Sequence, residues 1–487
     1  MKKLKLAYIL STAVALLAVS CTKDLTKLNE NEKKPAAVVA STLFANAELA
    51  VTDVLTSTNV NLNIFRLLAQ HWTETTYPDE SQYDLSTRNI PQNVWHALYR
   101  DVLIDLADAK RLVEADATLD AAVKQNQLAQ IEVVMVYTYS VLVNTWGDIP
   151  YTEALNIDNL SPKYDDAQTV YLDLLDRLDA AIGNLNPAAM GFGSSDILYE
   201  GNNKRTGSIA SWVKFANSLK MRLAMVIADV DNARAKAAIE AASPNAFMSA
   251  EDDAIFNYST IPPNTNPLWV DLVQSGRLDF VGANTLIDSM NHLNDPRRQY
   301  YFDTTKTGVT GVYRGGIYGT SNDYSAFSAV GNLLRAKDFP AVWIDYTEVE
   351  FLRAEAVERG YAVGGAAMTH YNNAITASIV SWGGTQAQAA TYLLQTDVNY
   401  LTAQGGWKGK IGTQKWFALY NRGFEAWTEW RRLDYPQLVA PPDALSDIPV
   451  RYPYPVSEQN LNKINYDAAA AAIGGDNVAT KLFWDIN

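Results

Sequence analysis

The chain has 487 residues and a formal charge of −14, with 40 Lys and Arg against 54 Asp and Glu. That acidity argues against a nucleic-acid clamp, which needs clustered basic side chains, and against electrostatic docking on anionic lipid. A single cysteine leaves no partner for an internal disulfide, whereas 12 Trp and 26 Tyr supply a core and suit a surface that grips amphipathic ligands.

In chain order, Lys2, Lys3 and Lys5 precede an apolar stretch of 13 residues, Ala7 to Val19. A membrane-spanning helix needs about 20, so this stretch reads as the apolar region of a signal peptide. Small residues then lead to the lone cysteine. The run Leu17-Ala-Val-Ser-Cys21 resembles a bacterial lipobox, where the cysteine sulfur takes a diacylglycerol and becomes the first residue. Removing residues 1–20 also removes three lysines and takes the charge from −14 to −17. Acyl chains on Cys21, at about 0.8 kcal/mol per buried CH₂, then tether the protein without spanning the bilayer. An ordinary signal peptide with an incidental cysteine is the alternative. No later stretch has 18 uninterrupted apolar residues, so no membrane-spanning helix is expected.

Residues 21–35 are polar and unpatterned and read as a flexible tether. From 36 onward the apolar spacing is mostly helical, through 36–57 and 62–72. Pro91 opens a further helix with Val94, Trp95, Leu98, Val102 and Leu106 on one stripe. Then come 121–145 with a glycine stop at Gly147, 167–186 behind Asp165 and Asp166, 209–230 capped by Ser208, and 232–242. From 244 to 340 Pro, Gly, Asn, Ser and Tyr accumulate, and only 282–293 reads as helix. Helices resume at 345–360, 365–381, 385–395 and 412–433. A Pro-rich stretch, 436–456, precedes a last helix near 457–472. The expected architecture is mainly all-α, in one domain over 36–487. Tetratricopeptide-like helix pairs (93–116 with 121–145, 167–186 with 209–230, 345–360 with 365–381) form a scaffold over about 36–243 and 341–487. The stretch 244–340 is a loop-rich insertion. No strict 34-residue period is present.

The common catalytic motifs are missing: no phosphate loop, no His-Glu-x-x-His, no Gly-x-Ser-x-Gly. Four histidines, His71, His96, His292 and His370, are few for acid–base or metal chemistry, and no cofactor or metal is expected. The glycine cluster Gly406-Trp-Lys-Gly409-Lys-Ile-Gly412 reads as a loop or turn. Glu348, Glu350, Arg353, Glu355, Glu358 and Arg359 read as a solvated, salt-bridged helix face rather than a catalytic dyad, with Glu355 and Arg359 an i,i+4 pair. Glu251-Asp252-Asp253 reads as an acidic turn. Lys214, Lys220 and Arg222 are expected to snorkel or pair.

Four segments carry a family resemblance. They are Asn144-Thr-Trp-Gly-Asp-Ile-Pro-Tyr-Thr-Glu-Ala154, Trp212-Val-Lys-Phe-Ala-Asn-Ser-Leu-Lys-Met-Arg-Leu-Ala224, Ile344 to Gly360, and Lys415 to Pro436 followed by Pro449-Val-Arg-Tyr-Pro-Tyr-Pro455. Asn294-Asp-Pro-Arg297 adds to them. In order and spacing they resemble the SusD/RagB superfamily, in particular the SusD-like lipoproteins of Bacteroidetes. The resemblance implies a helical scaffold under irregular loops, on the outer face of the outer membrane. It implies a lid over a SusC-like TonB-dependent barrel that captures oligosaccharide, or peptide in some branches, for import without catalysis. The motif residues themselves read as scaffold: Trp212, Phe215, Leu219 and Leu223 form one stripe, and Trp416 through Arg431 pack one long helix.

No motif fixes the ligand contacts. Sugars are gripped by flat rings against C–H faces and by polar groups on hydroxyls. The first candidate stretch is 70–84, with Trp72, Tyr77 and Tyr83 and with Arg88 close behind. The second is the irregular region, with Trp269, Tyr313, Arg314, Tyr318 and Tyr324. The competing reading is that these aromatics anchor their own loops. A sugar covering roughly 60 Å² of ring gains ~1.5 kcal/mol at about 25 cal/mol per Å². Three rings give ~4.5 kcal/mol gross, which is millimolar to high-micromolar binding after association costs. Two other functions stay open: an all-α glycoside hydrolase or lyase with paired carboxylates, and a scaffold that binds only proteins.

Overall fold

A computed structural model describes residues 38–199, 209–305 and 311–486. The signal segment 1–20, Cys21, the 21–35 tether and the Ser208 cap lie outside the described residues.

The scaffold helices begin and end where local chemistry says they should. α1 is Ala40–Thr56. The helix expected after Pro91 runs as three joined pieces, Ile90–His96, a π-helical Ala97–Leu103, and α2, Ile104–Ala115. α3, Ala121–Trp146, starts where the Asp120 carboxylate accepts from the Ala122 and Val123 amides and stops at Gly147, at φ +86°. Every residue from Val133 to Trp146 is buried, so this half of the helix is covered on all sides and runs through the core. α4, Ala167–Asn184, is capped by Asp166, which accepts from Thr169 N. α5 is Ile209–Val226 and α6 is Asn232–Ala242. α7, Tyr346–Glu358, is capped by Asp345 and packs on α8, Ala367–Ser381. α9, Gly406–Ala418, and α10, Gly423–Leu433, follow. The three helix pairs expected from spacing pack together, and the fold is mainly helical.

Three expectations are corrected. Segment 62–72 is helical only over Phe65–Leu68, because Gln70 turns the chain at φ +53° into a strand. The helix expected over 412–433 is two helices, broken at Asn421 (φ +70°). There the backbone of Gly423 lies so close to Arg66 that a Cβ would sit 2.5 Å from its amide nitrogen. The glycine cluster 406–412 is the start of α9, not a loop: Gly409 and Gly412 leave room for the Tyr435 side chain against the helix.

The acidic cluster on α7 also departs from expectation. It is no solvated face, since Glu348, Glu350, Arg353 and Glu355 are all buried. Glu355 takes both Nη groups of Arg432 at 2.5 Å, and Glu348 takes Arg222 at 2.6 and 2.7 Å. A helix packed on two sides buries even its polar stripe, and full pairing makes that tolerable. Lys214, Lys220 and Arg222 are ion-paired, with Asp252, Asp179 and Glu348.

Among the described residues the strands form two-stranded antiparallel clips. β1 (Trp72–Glu74) pairs β5 (Phe280–Gly282), β2 (Ile149–Pro150) pairs β3 (Tyr164–Asp165), and β4 (Ala254–Phe256) pairs β6 (Ala341–Ile344). The β4–β6 clip joins the two ends of the loop-rich stretch at its root, with Ala254 opposite Ile344. The excursion therefore leaves and re-enters the scaffold at one place.

Candidate ligand-binding surface

The two candidate stretches far apart in sequence meet in space. β1 pairs residue for residue with β5: Trp72 with Gly282, Thr73 with Val281, Glu74 with Phe280. Beyond the clip, Thr75 N donates to Asp279 O at 2.9 Å, and Gln82 donates to Gly319 O at 2.8 Å. The centre of the junction is Asn322. Its backbone amide donates to Thr75 O, its Nδ2 to Glu74 O, Ile317 O and Thr320 O, and its Oδ1 accepts from Ile317 N. Gly315 passes so close to Asn284 that a Cβ would stand 2.3 Å from its Cα, and Asn284 Oδ1 then accepts from Tyr318 N. The Asn322 side chain thus ties the 317–320 turn to the backbone at Glu74, the role in which Asn outperforms apolar residues.

This arrangement divides the expected contact residues. Trp72, Tyr83 and Tyr318 present no free ring face. Trp72 is 1% exposed, donates from Nε1 to the Tyr420 hydroxyl at 2.9 Å and lies under the Arg66 guanidinium. Tyr83 and Tyr318 are buried against each other, and the Tyr318 hydroxyl donates to Leu67 O at 2.7 Å. These three anchor the loops to the scaffold, because each ring finds both apolar cover and a partner for its polar tip. They are corrected from contact residues to supports.

The others reach solvent. Tyr77 is 64% exposed at the loop tip, with Ile317 and Leu278 also exposed on joined segments. Tyr77 and Arg88 border a depression of only about 20 Å³ together with Arg277 and Asp279. That is room for one water, so this part of the face is a surface and not a pocket. On the other flank of the same loop a hollow of about 290 Å³ opens beside Asp84, Asn89 and Leu445. Tyr313, Tyr324 and Trp269 are half-buried. Arg298 stands over the Tyr313 ring at 4.7 Å, Lys337 over Trp269 at 4.7 Å, and the exposed Arg314 over Phe327 at 5.0 Å. No ring contact joins Tyr77, Trp269, Tyr313 and Tyr324 to one another among the described residues, so they form no single stacking platform.

Beneath Tyr77 lies a pair the sequence reading passed over. Glu74 Oε2 accepts from Ser81 N and Ser81 Oγ, both at 2.9 Å, and its carboxyl is hydrogen-bonded to that of Glu80. Burial, then the adjoining Glu80, push the Glu74 carboxyl far above the usual carboxylate range. Glu80 also receives Arg88. A glycosidase needs its two carboxyls about 5–9.5 Å apart around an open bond. These two touch, at 4% and 1% exposure, and they serve to fold the loop back on itself. Asn284, Asn322 and Arg277 were likewise missed. The available signal was the placement of Asn among Gly, Ser and Asp, where side-chain to backbone bonding is the usual outcome.

Residues 32–455 match the SusD-like family described as "Starch-binding associating with outer membrane". Among solved structures, one named a chitin-binding protein is 25% identical, covers 92% of this chain and 100% of its own, and superposes at a TM-score of 0.79. A chitin-binding SusD homologue from Flavobacterium johnsoniae is 26% identical over 92% of this chain and 99% of its own, at 0.78. A SusD homologue from Bacteroides uniformis ATCC 8492 is 25% identical over 92% and 99%, at 0.77. No curated protein matches the chain. Among the described residues no helix is long and apolar enough to cross a membrane. With a family match spanning most of its length and a fold shared over nine-tenths of it, this chain belongs to the SusD-like family.

Proposed function

We propose that the protein is a cell-surface binding lipoprotein. Acyl chains on Cys21 hold it to the outer membrane, and it grips an oligosaccharide on the joined loop face and delivers it to a SusC-like TonB-dependent barrel. The observation that carries this reading is the family match over residues 32–455. Two structural relatives named as chitin-binding support a glycan over a peptide. The loop face adds the exposed Tyr77 ring and Arg277 guanidinium and the half-buried Arg88, with Tyr313, Arg314, Tyr324 and Trp269 further along the same stretch. Its shallowness fits an extended chain that lies across a surface and is released again, with millimolar to high-micromolar affinity.

Calorimetry and affinity electrophoresis over a polysaccharide panel that includes chitin oligomers test the binding. Retention by one glycan class with no reducing ends released is expected. Sustained product formation, lost on replacing one acid, would instead establish the hydrolase or lyase. Mild-detergent purification from the native host is expected to bring a large β-barrel along, and mass spectrometry to find acyl chains on Cys21.

A further inference from the structure

Away from the loop face, a cavity of about 370 Å³ lies where β6 and the start of α7 meet the end of α8 and the α9–α10 junction. That volume is within the range of small-molecule pockets. Its mouth is apolar: Leu333, 45% exposed, stands with the half-buried Phe339 and Trp382. The Phe339 and Trp382 rings are 5.9 Å apart, and Tyr420 lies 5.7 Å further in from Trp382.

The floor is acidic. Asp253, Asp345 and Glu425 line it, with Arg422 the one cation among them. Two of the three nitrogens of Arg422 are already committed, Nη1 to Asp345 at 3.2 Å and Nη2 to Trp343 O at 3.1 Å and to Glu348, while its buried Nε has no hydrogen-bond partner. Arg222, next to it, binds Glu348 through Nε and Nη2. Glu348 therefore takes the close contacts of both guanidinium groups. Glu425, 7% exposed, has them only at 3.6 and 3.9 Å, beyond hydrogen-bond reach, and otherwise its own backbone amide. Three carboxyls, Asp345, Glu348 and Glu425, share these two guanidinium groups. Two other polar side chains on the wall are engaged with the protein: Ser381 Oγ donates to Ser378 O, and Asn421 Oδ1 accepts from Arg66.

We propose that this cavity is a second binding site, selective for a compact organic cation: a protonated amine on a flat or apolar body. The body lies against Trp382 and Phe339, where a ring face also attracts positive charge, and the ammonium group donates to Glu425. Burial raises the carboxyl pKa of both Asp345 and Glu425, as expected of acids short of cations, and an ammonium group relieves that shortage. A neutral ligand of the same shape fills the apolar mouth but leaves Glu425 as it was. An anion is repelled.

Titration of the full-length protein with phenethylamine, 2-phenylethanol and phenylacetate at neutral pH, by calorimetry and ligand-observed NMR, tests this. The amine is expected to bind at least tenfold tighter than the alcohol, and phenylacetate not to bind. Glu425→Gln is expected to erase the preference for the amine. Leu333→Trp, at the exposed rim, fills the mouth without touching the charges and is expected to weaken amine and alcohol alike by tenfold or more. Equal binding of amine and alcohol, amine binding unchanged in Leu333→Trp, or no binding by any of the three would overturn the proposal. Glycan retention by both variants stands apart from these readings, since the loop face shares none of these residues.

Discussion

The scaffold and the loop face are held by different chemistry. In the scaffold, ionised groups are buried and paired. Arg432 meets Glu355, and Arg353 meets Glu350 with the carbonyls of Ser243 and Phe247. Arg451 meets Asp476 and Trp146 O. On the loop face, uncharged side chains make most of the described joints, beside the Glu80–Arg88 ion pair: Asn322, Asn284, Gln82 and Ser81 bond to backbone or to a single carboxyl. Charge inside a helical stack is costly to leave unpaired, so it fixes the packing strictly. Amide knots at a surface hold a shape at lower stakes, so the face can vary while the stack stays constant.

The largest effect comes from breaking a scaffold pair. Arg432→Met leaves Glu355 and Glu429 buried without their guanidinium partner, although Arg359 and Lys415 remain. Urea unfolding is expected to show a loss of about 3–5 kcal/mol. A loss below 1 kcal/mol would mean that the scaffold does not depend on its buried charge. Breaking the loop knot is milder. Asn322→Ala strips the loop of its side-chain bonds, at about 1–3 kcal/mol per polar group left unsatisfied, but the opening stays local. Hydrogen exchange is expected to rise over 74–81 and 315–324, with the global unfolding midpoint nearly unmoved. A global collapse would erase the distinction between the two regions.

How far the sequence is legible follows the same divide. The helices show through because 3.6-residue spacing and capping are local, as at Asp120, Asp166 and Gly147. What spacing cannot show is burial on a second side. Glu355 and Arg359 keep the spacing of an exposed salt bridge, yet Arg432 arrives from 77 residues away and seals them in. On the loop face, aromatic residues in polar sequence stand out as a group, but Trp72 and Tyr77 differ only in which way the chain turns them. The β1–β5 pairing that decides it joins residues some 200 apart, so no local pattern records it.

A surface replacement sharpens the contrast from the other side. Tyr77→Ala is expected to change stability by less than about 0.5 kcal/mol. Glycan affinity is expected to fall by about tenfold, the ~1.5 kcal/mol of one ring face. Unchanged affinity on calorimetry would move the contact to Tyr313, Tyr324 or Trp269.

The smallest effect is the most diagnostic, because its sign depends on pH. Glu74 is an acid whose folded-state pKa lies well above its unfolded value of 4.5. Between those two values the folded protein holds a proton that the unfolded chain has lost, so stability falls as pH rises, by at most about 1.36 kcal/mol per unit. Glu74→Gln copies the protonated form: its oxygen accepts from Ser81 and its amide donates to Glu80. The variant has no such slope. It is expected to match the wild type below about pH 4.5 and to become progressively the more stable as pH rises towards 8, read as a widening gap in thermal midpoints. A gap of constant size across that range would mean Glu74 is ionised in the fold. The carboxyl pair would then strain the loop at every pH instead of being one of the neutral joints that hold it.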